Sequence, residues 1–467
     1  MKTITDALQE LAESDLYPFH MPGHKRNMAC GEAEYAYDIT EIDGFDNLHD
    51  ARGIIADAQK RAAMLWGAAN SYFLVNGSTC GILAAVSAAV KKKGHILMAR
   101  NCHKSAYHAV YLRELKPSFL YPVLTKEGIQ GQIRPEEVKK QLEENADIEA
   151  VLITSPTYDG VVSDITEIAH IAHRYQVPLI VDEAHGAHFG FHNYFPESSV
   201  TLGADIVVQS LHKTLPAPTQ TAILHSCSER ISRRKLQQFL DIYETSSPSY
   251  LFLMRMEHCI RMLEKEGDRL FSNFAGRLRD FYQNTEKFTK VRICRPDSYN
   301  FDPSKLLIMA AGMTGKQIYD RLRTQDHIQP EMSQGNYVLA MSSIMDTQEG
   351  FDRLYQALRK LDQASESGSR ESDDDRIRSF VRQAYQRRRQ ALTIAEAMDS
   401  EHRLCDLTSA NGEVSAVYVS LYPPGIPILL PGEYIDENVL ETIRLCREYS
   451  FSIQGITDND QIEVVIS

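Results

Sequence analysis

Ala204-Asp205-Ile206-Val207-Val208-Gln209-Ser210-Leu211-His212-Lys213-Thr214-Leu215 joins a short apolar run to a lysine set between histidine and threonine. The run reads as a buried strand. A lysine just past such a strand is a poor core residue, because its ammonium needs a partner or must lose its proton. A lysine of lowered pKa that condenses with an aldehyde cofactor wants that situation. A surface lysine at a strand end is the plain alternative, and the surrounding chain decides between them.

Upstream, strands and helices alternate. Ser71–Val75 is strand-like and runs into Asn76-Gly77-Ser78-Thr79-Cys80-Gly81, followed by a buried-looking helix over Ile82–Val90. Ile96–Ala99 is the next strand, leading to Arg100-Asn101-Cys102-His103 and a helix that reaches Leu115. Ser118–Val123 is extended, Pro135–Glu144 is a helix with proline at its start, and Ala150–Thr154 is a strand ending in Ser155-Pro156-Thr157-Tyr158-Asp159-Gly160. A helix over Thr166–Tyr175 precedes the strand Pro178–Val181, which ends in Asp182-Glu183-Ala184-His185. Gln220–His225 is one more strand. The alternation implies an α/β fold with a mostly parallel sheet covered by helices. Ligands of such sheets bind beyond the carboxyl ends of the strands. Ser78, Thr79, His103, Asp182 and Lys213 all follow apolar strands, which brings them toward one edge.

Those positions match the needs of pyridoxal phosphate. Lys213 would hold its aldehyde covalently. Ser78 and Thr79 would seat the phosphate at a helix N-terminus, where free N–H groups and the helix dipole favour an anion; a simple helix cap is the other meaning of such residues. Asp182 would face the pyridine nitrogen and keep it protonated. Strand alternation puts Ala184 on the side of Asp182 and Glu183 on the other. His103 would stack on the ring.

Composition narrows the class. The 467 residues suffice for a large core and more than one domain. A net charge of −13 argues against a general nucleic-acid binder. Eight scattered cysteines without a CxxC fit a reduced cytoplasmic chain and no metal site. No apolar run is long enough to span a bilayer, and an acidic N-terminus is no signal peptide.

The remaining segments suggest boundaries. Residues 2–16 read as an amphipathic helix, and Pro18–Arg26 as a rigid loop. Asp38–His49 carries carboxylates that either face a cationic substrate or cap turns and helices. Residues 1–50 form an N-terminal arm and substrate-loop segment, 51–290 the large domain and 291–362 a small α/β domain. A polar linker spans 363–376, and 377–467 form a C-terminal domain.

The chain resembles the bacterial ornithine/lysine/arginine decarboxylases, which have the pyridoxal phosphate fold type I of aspartate aminotransferase. The resemblance covers nearly the whole length. It rests on His20-Met21-Pro22-Gly23-His24-Lys25, Asp38-Ile39-Thr40-Glu41, Gly77-Ser78-Thr79, Asp182-Glu183-Ala184-His185, Ser210-Leu211-His212-Lys213-Thr214 and Tyr422-Pro423-Pro424-Gly425-Ile426-Pro427. It implies that Lys213 is the cofactor lysine, His103 the stacking residue and Asp182 the pyridine partner. Ser78, Thr79 and Ser210 would contact the phosphate, and Ala184, His185 and His212 would lie beside the cofactor. Glu41, Asp46 and Glu433 are candidates to read the substrate's cationic end. Longer members start with a wing domain that builds large assemblies. This chain starts almost at the HMPGHK segment, so a homodimer or homotetramer with a biosynthetic role in polyamine formation is expected.

The implied reaction is decarboxylation of a small cationic amino acid: arginine to agmatine first, then lysine to cadaverine or ornithine to putrescine. Either Lys213 or His212 would return the proton to Cα. A different reaction on the same cofactor, such as transamination, and an inactive regulatory subunit are the alternatives.

Overall fold

The computed structural model describes residues 2–14, 16, 21, 22, 25, 33–125, 128–296, 300–364, 386–421, 425–448 and 452–466. His20, Gly23 and His24, most of the 363–376 linker, and Tyr422, Pro423 and Pro424 lie outside them. Packing divides the chain into two units: residues 1–90 with 165–272, and 91–164 with 273–467.

Along the chain, the first piece carries α1 (Ile4–Glu13), α2 (Ile54–Trp66), β1 (Asn70–Leu74) and α3 (Gly77–Ala89). The second carries β2 (His95–Ala99), α4 (Lys104–Leu112), β3 (Lys116–Leu120), α5 (Pro135–Glu144), β4 (Ile148–Thr154) and β5 (Val161–Val162). The third holds α6 (Ile165–Arg174), β6 (Leu179–Asp182), β7 (Ile206–Gln209), the single turn α7 (Leu211–Thr214), β8 (Ala222–Ser226) and α8 (Arg233–Tyr243). The long helix α9 (Tyr250–Thr285) then carries the chain onward. The last piece contains β9 (Val291–Cys294), β10 (Asn300–Phe301), β11 (Lys305–Ala310), α10 (Gly315–Thr324), β12 (Met332–Gln334), β13 (Tyr337–Met341) and α11 (Gln348–Ala364). It ends with α12 (Ile394–Asp399), β14 (His402–Asp406), β15 (Val419–Leu421), β16 (Ile426–Leu429), α13 (Glu437–Glu448), β17 (Ile453–Gln454) and β18 (Gln461–Val465).

In the first unit the strands lie in the order β1-β8-β7-β6. β6 and β7 are parallel, with Asp182 opposite Val208, whereas β8 runs antiparallel to both β7 and β1. Every residue of β6, β7 and β8 is buried, as expected of strands covered on both faces. Helix α3 lies close against this sheet because residue 81 is glycine. A Cβ there would come within 2.6 Å of Leu74 Cδ1 and 2.9 Å of Val208 Cγ1. Helix α1 buries Ile4, Ala7, Leu8 and Leu11 on one face, the spacing of an amphipathic helix. Its first turn is closed by a capping box between Thr3 and Asp6.

In the second unit, β4, β2 and β3 lie in that order and are all parallel. The later chain builds smaller antiparallel sheets, β12-β13-β11-β9, β14-β18 and β16-β15-β17. Val419, Ile428, Leu429, Val439 and Ile462 are among the fully buried side chains that close the C-terminal part. The fold is thus the expected α/β class, with a mostly parallel sheet arrangement and small antiparallel sheets toward the C-terminus. No helix among the described residues is long and apolar enough to cross a membrane.

Candidate active site

Three segments at the ends of strands in the first unit supply the site. β6 ends at Asp182, which is buried at 7 % exposure. Its Oδ1 accepts a hydrogen bond from Ala184 N at 3.2 Å. Burial pushes the Asp182 carboxyl above its ordinary range, while the Lys213 charge and the Ala184 N–H pull the other way. A further cation beside this carboxylate would favour its ionised form.

β7 ends at Gln209, so Ser210 enters the turn and Lys213 lies on the one-turn helix α7. Lys213 Nζ is 3.1 Å from His185 Nε2. An ammonium donating there requires that His185 carry its ring proton on Nδ1. His212 has Nδ1 2.8 Å from the Thr221 carbonyl. A carbonyl only accepts, so Nδ1 bears the proton and Nε2 keeps its lone pair. Burial lowers the His212 pKa, with the Lys213 charge adding to it and the Thr221 carbonyl opposing. The ring is therefore neutral near pH 7, with the Nε2 lone pair available.

Ser78 sits in the first turn of α3, and its Oγ accepts from Ser210 Oγ at 3.0 Å. The helix begins without a side-chain cap. Asn76, the residue placed to supply one, instead uses its Oδ1 to accept from Thr245 N at 3.3 Å. Small residues and uncapped N–H groups leave that helix end suited to an anion. Thr79 lies in the same turn and is exposed.

Comparison with known proteins decides the family. Residues 3–298 match the Orn/Lys/Arg decarboxylase major domain and residues 376–458 its C-terminal domain. The chain belongs to the Orn/Lys/Arg decarboxylase family. The arginine decarboxylase of Bacillus subtilis (strain 168) is 32 % identical over 470 residues, covering 97 % of this chain and 95 % of the relative. That of Bacillus anthracis is 32 % identical over 469 residues, covering 97 % and 94 %. Among solved structures, the lysine decarboxylase of Francisella novicida superposes with a TM-score of 0.86 at 20 % identity, covering all of this chain and 81 % of that one. The Escherichia coli constitutive lysine decarboxylase gives 0.86 at 20 % identity, with 100 % and 82 % covered. These structural likenesses carry the fold. The family match makes the protein a decarboxylase of basic amino acids.

The decarboxylase thus gathers Ser78, Asp182, Ala184, His185, Ser210, His212 and Lys213 within its first unit. His103 lies in the second unit, where it is the N-cap of α4: its Nδ1 accepts from Ser105 N at 3.2 Å. Glu433 also lies there, buried, with Oε2 accepting from Leu430 N at 2.8 Å and lying 3.5 Å from Arg100 Nη2. Asp46 takes the second of the two roles its segment offered, that of a helix cap. Its Oδ2 accepts from Gly53, Ile55 and Ala56 N–H at 2.7, 3.0 and 3.2 Å, and its Oδ1 from Arg52 N at 2.9 Å. The N-cap residue of α2 is Gly53, which has no side chain to do this. Asp46 therefore caps that helix from seven residues upstream. Glu41 differs again: its Oε1 is buried with no hydrogen-bond partner among the described residues.

Sequence reasoning missed the polar groups behind the site. Glu183, Gln209, His225 and Ser71 are buried, and polar residues inside apolar strands were the available signal.

Proposed function

We propose that this decarboxylase uses pyridoxal phosphate to convert L-arginine into agmatine, with release of CO2. The observation that carries the proposal is the placement of Lys213, just past the end of β7 and 3.1 Å from His185 Nε2, where its charge acts on the buried Asp182 carboxyl at the end of the adjacent parallel strand β6. The residues fit the cofactor: a lysine for its aldehyde, a carboxylate short of positive charge for its pyridine nitrogen, and an uncapped helix end with Ser78, Thr79 and Ser210 for its phosphate. When bound, pyridoxal phosphate supplies an electron sink for the pair left at Cα as CO2 departs.

The chain's own groups do the rest. Lys213 would hold the cofactor through its aldehyde. Asp182 would hold the pyridine nitrogen, whose positive charge would favour the ionised carboxyl. The family resemblance would give His103 the stacking role, and Ala184 would leave room beside the ring. His185 orients the Lys213 amine through the bond at 3.1 Å. His212 Nε2 or Lys213 Nζ carries the proton that replaces the carboxylate on Cα, so one proton enters for each CO2 lost. Glu41, with a buried oxygen lacking a partner among the described residues, reads the guanidinium as a charged acceptor.

Arginine is preferred because the relatives at 32 % identity are named arginine decarboxylases. The seven described cysteines form no disulfide, in keeping with a cytoplasmic enzyme. We place it in polyamine formation as a homo-oligomer, which light scattering on the purified enzyme would check.

The test is CO2 and amine production with arginine, lysine and ornithine side by side. Arginine should give the highest kcat/KM. Lys213→Ala should lose at least about 10⁴-fold in kcat, and Glu41→Gln should raise KM for arginine with little change in kcat. Absence of CO2 from all three amino acids would overturn the assignment.

A further inference from the structure

Behind the strand ends, on the side away from Lys213, a chain of buried polar groups crosses the first unit. Glu183 is 1 % exposed, and Gln209 and His225 are wholly buried. Glu183 Oε1 accepts from Ser198 Oγ at 2.8 Å and from Gln209 Nε2 at 2.7 Å. Its Oε2 accepts from Ser199 N at 2.8 Å and from the Ser199 hydroxyl. Gln209 Oε1 lies 3.2 Å from His225 Nε2, and His225 Nδ1 lies 2.7 Å from Ser71 Oγ.

The pattern orients the Gln209, His225 and Ser71 bonds. Two obligate donors, Ser199 N and Gln209 Nε2, and two serine hydroxyls surround the Glu183 oxygens. Burial pushes Glu183 up to about 7, and its donors oppose that rise. Gln209 turns its amide N–H to Glu183, so its oxygen must accept from His225. Burial pushes His225 down to about 3, so the ring is neutral. Nε2 carries its proton and Nδ1 accepts from the Ser71 hydroxyl. A fully satisfied buried network of this kind is rigid.

Its position gives it a task. The backbone ladder between β6 and β7 pairs Asp182 with Val208, and its last rung is Glu183 N to Val208 O at 2.9 Å. Beyond that rung, the Glu183–Gln209 side-chain bond continues the pairing. Alternation along a strand turns Asp182 and Ser210 to the face opposite Glu183 and Gln209. Each member of the bond is thus the direct chain neighbour of a site residue.

We infer that Glu183, Gln209 and His225 are positioning residues, a side-chain clasp that holds the ends of β6 and β7 together so that Asp182 and the Ser210–Lys213 turn keep their mutual placement around the cofactor. The inference rests on the pyridoxal phosphate reading above. Its test compares Glu183→Gln, Gln209→Leu and Ser71→Ala with the unaltered enzyme. Three quantities are measured: the dissociation constant of pyridoxal phosphate from apoenzyme titration, the pH midpoint of the bound cofactor's visible absorbance, and kcat and KM. A displacement of about 1 Å costs about 100-fold in rate. Glu183→Gln and Gln209→Leu should therefore weaken cofactor binding and lower kcat by about 10- to 100-fold, move the absorbance midpoint, and leave KM within about threefold. Ser71→Ala, at the far end, should show a smaller effect in the same direction. The double variant Glu183→Gln/Gln209→Leu should fall no further than the worse single one. Folded variants with an unchanged cofactor dissociation constant and absorbance midpoint would overturn the inference, even if they melted earlier. Should Gln209→Leu fail to fold, Ser71→Ala decides: no change in either quantity overturns it. The unaltered enzyme reports separately on the cofactor reading, since failure there appears as no cofactor uptake.

Discussion

Asp159 sits buried in the second unit, its Oδ1 accepting from the Tyr337 hydroxyl at 2.6 Å. Burial pushes its carboxyl up to about 6, against the Tyr337 hydrogen bond and the Lys305 charge. The folded pKa is therefore above the ordinary value of 3.8. Between those values the folded chain holds a proton that the unfolded chain has released, so this group adds stability as the pH is lowered from about 6 toward about 4. Asp159→Asn cannot titrate. The melting temperature of the unaltered protein relative to this variant should rise between pH 7 and pH 5; a constant difference would contradict the assignment. At the site itself the same physics works on Asp182, where burial raises the pKa and Lys213 restrains it. Asp182 was readable from sequence because it stood at a strand end, whereas Asp159, in the stretch between β4 and β5, was not. Glu183 was seen only as facing away from Asp182. Its partners lie 15 to 26 residues distant, and Ser71 lies 154 residues from His225. Such pairings depend on strand order and register, which no local pattern encodes.

Helix α2 shows how elements were partly legible. It spans Ile54–Trp66, whereas α5 begins and ends where the Pro135–Glu144 reading put it. Capping by a carboxylate of Asp38–His49 was among the readings, but which one caps α2 was not legible, because the chain must first fold back to bring Asp46 to Gly53. Removing that carboxylate in Asp46→Ala leaves several N–H groups without their acceptor and should cost about 2 kcal/mol. Urea denaturation would show a lower midpoint at unchanged slope; an unchanged midpoint would mean that water replaces the carboxylate fully. Helix α3 departs from expectation in a useful way. The glycine-serine-threonine stretch, read as a turn before the helix, forms the helix's own first turns from Gly77. Ser78 and Thr79 thereby stand beside the first N–H groups of the helix instead of ahead of them. Helix α4 stops at Leu112, short of the expected Leu115, where Glu114 takes a φ of +52°.

At the scale of the molecule, folding and cofactor binding are linked. The proposed ligands of pyridoxal phosphate in the first unit come from β6, the β7–α7 turn and the start of α3. Binding to the folded state alone stabilises it by about 2.7 kcal/mol when free cofactor stands at 100 times its dissociation constant. Calorimetry of apo and reconstituted enzyme should show the melting temperature climbing with cofactor concentration. Equal melting temperatures would mean that the site is not linked to folding. The chain's route adds another consequence. Residues 1–90 wait for 165–272 before their unit is whole, and 91–164 wait for 273–467. On the ribosome, β2 to β5 emerge while most of their own unit is still unmade. Neither unit can be cloned as one uninterrupted gene fragment, and a nascent chain halted near residue 272 would carry an orphaned middle segment for chaperones to shield.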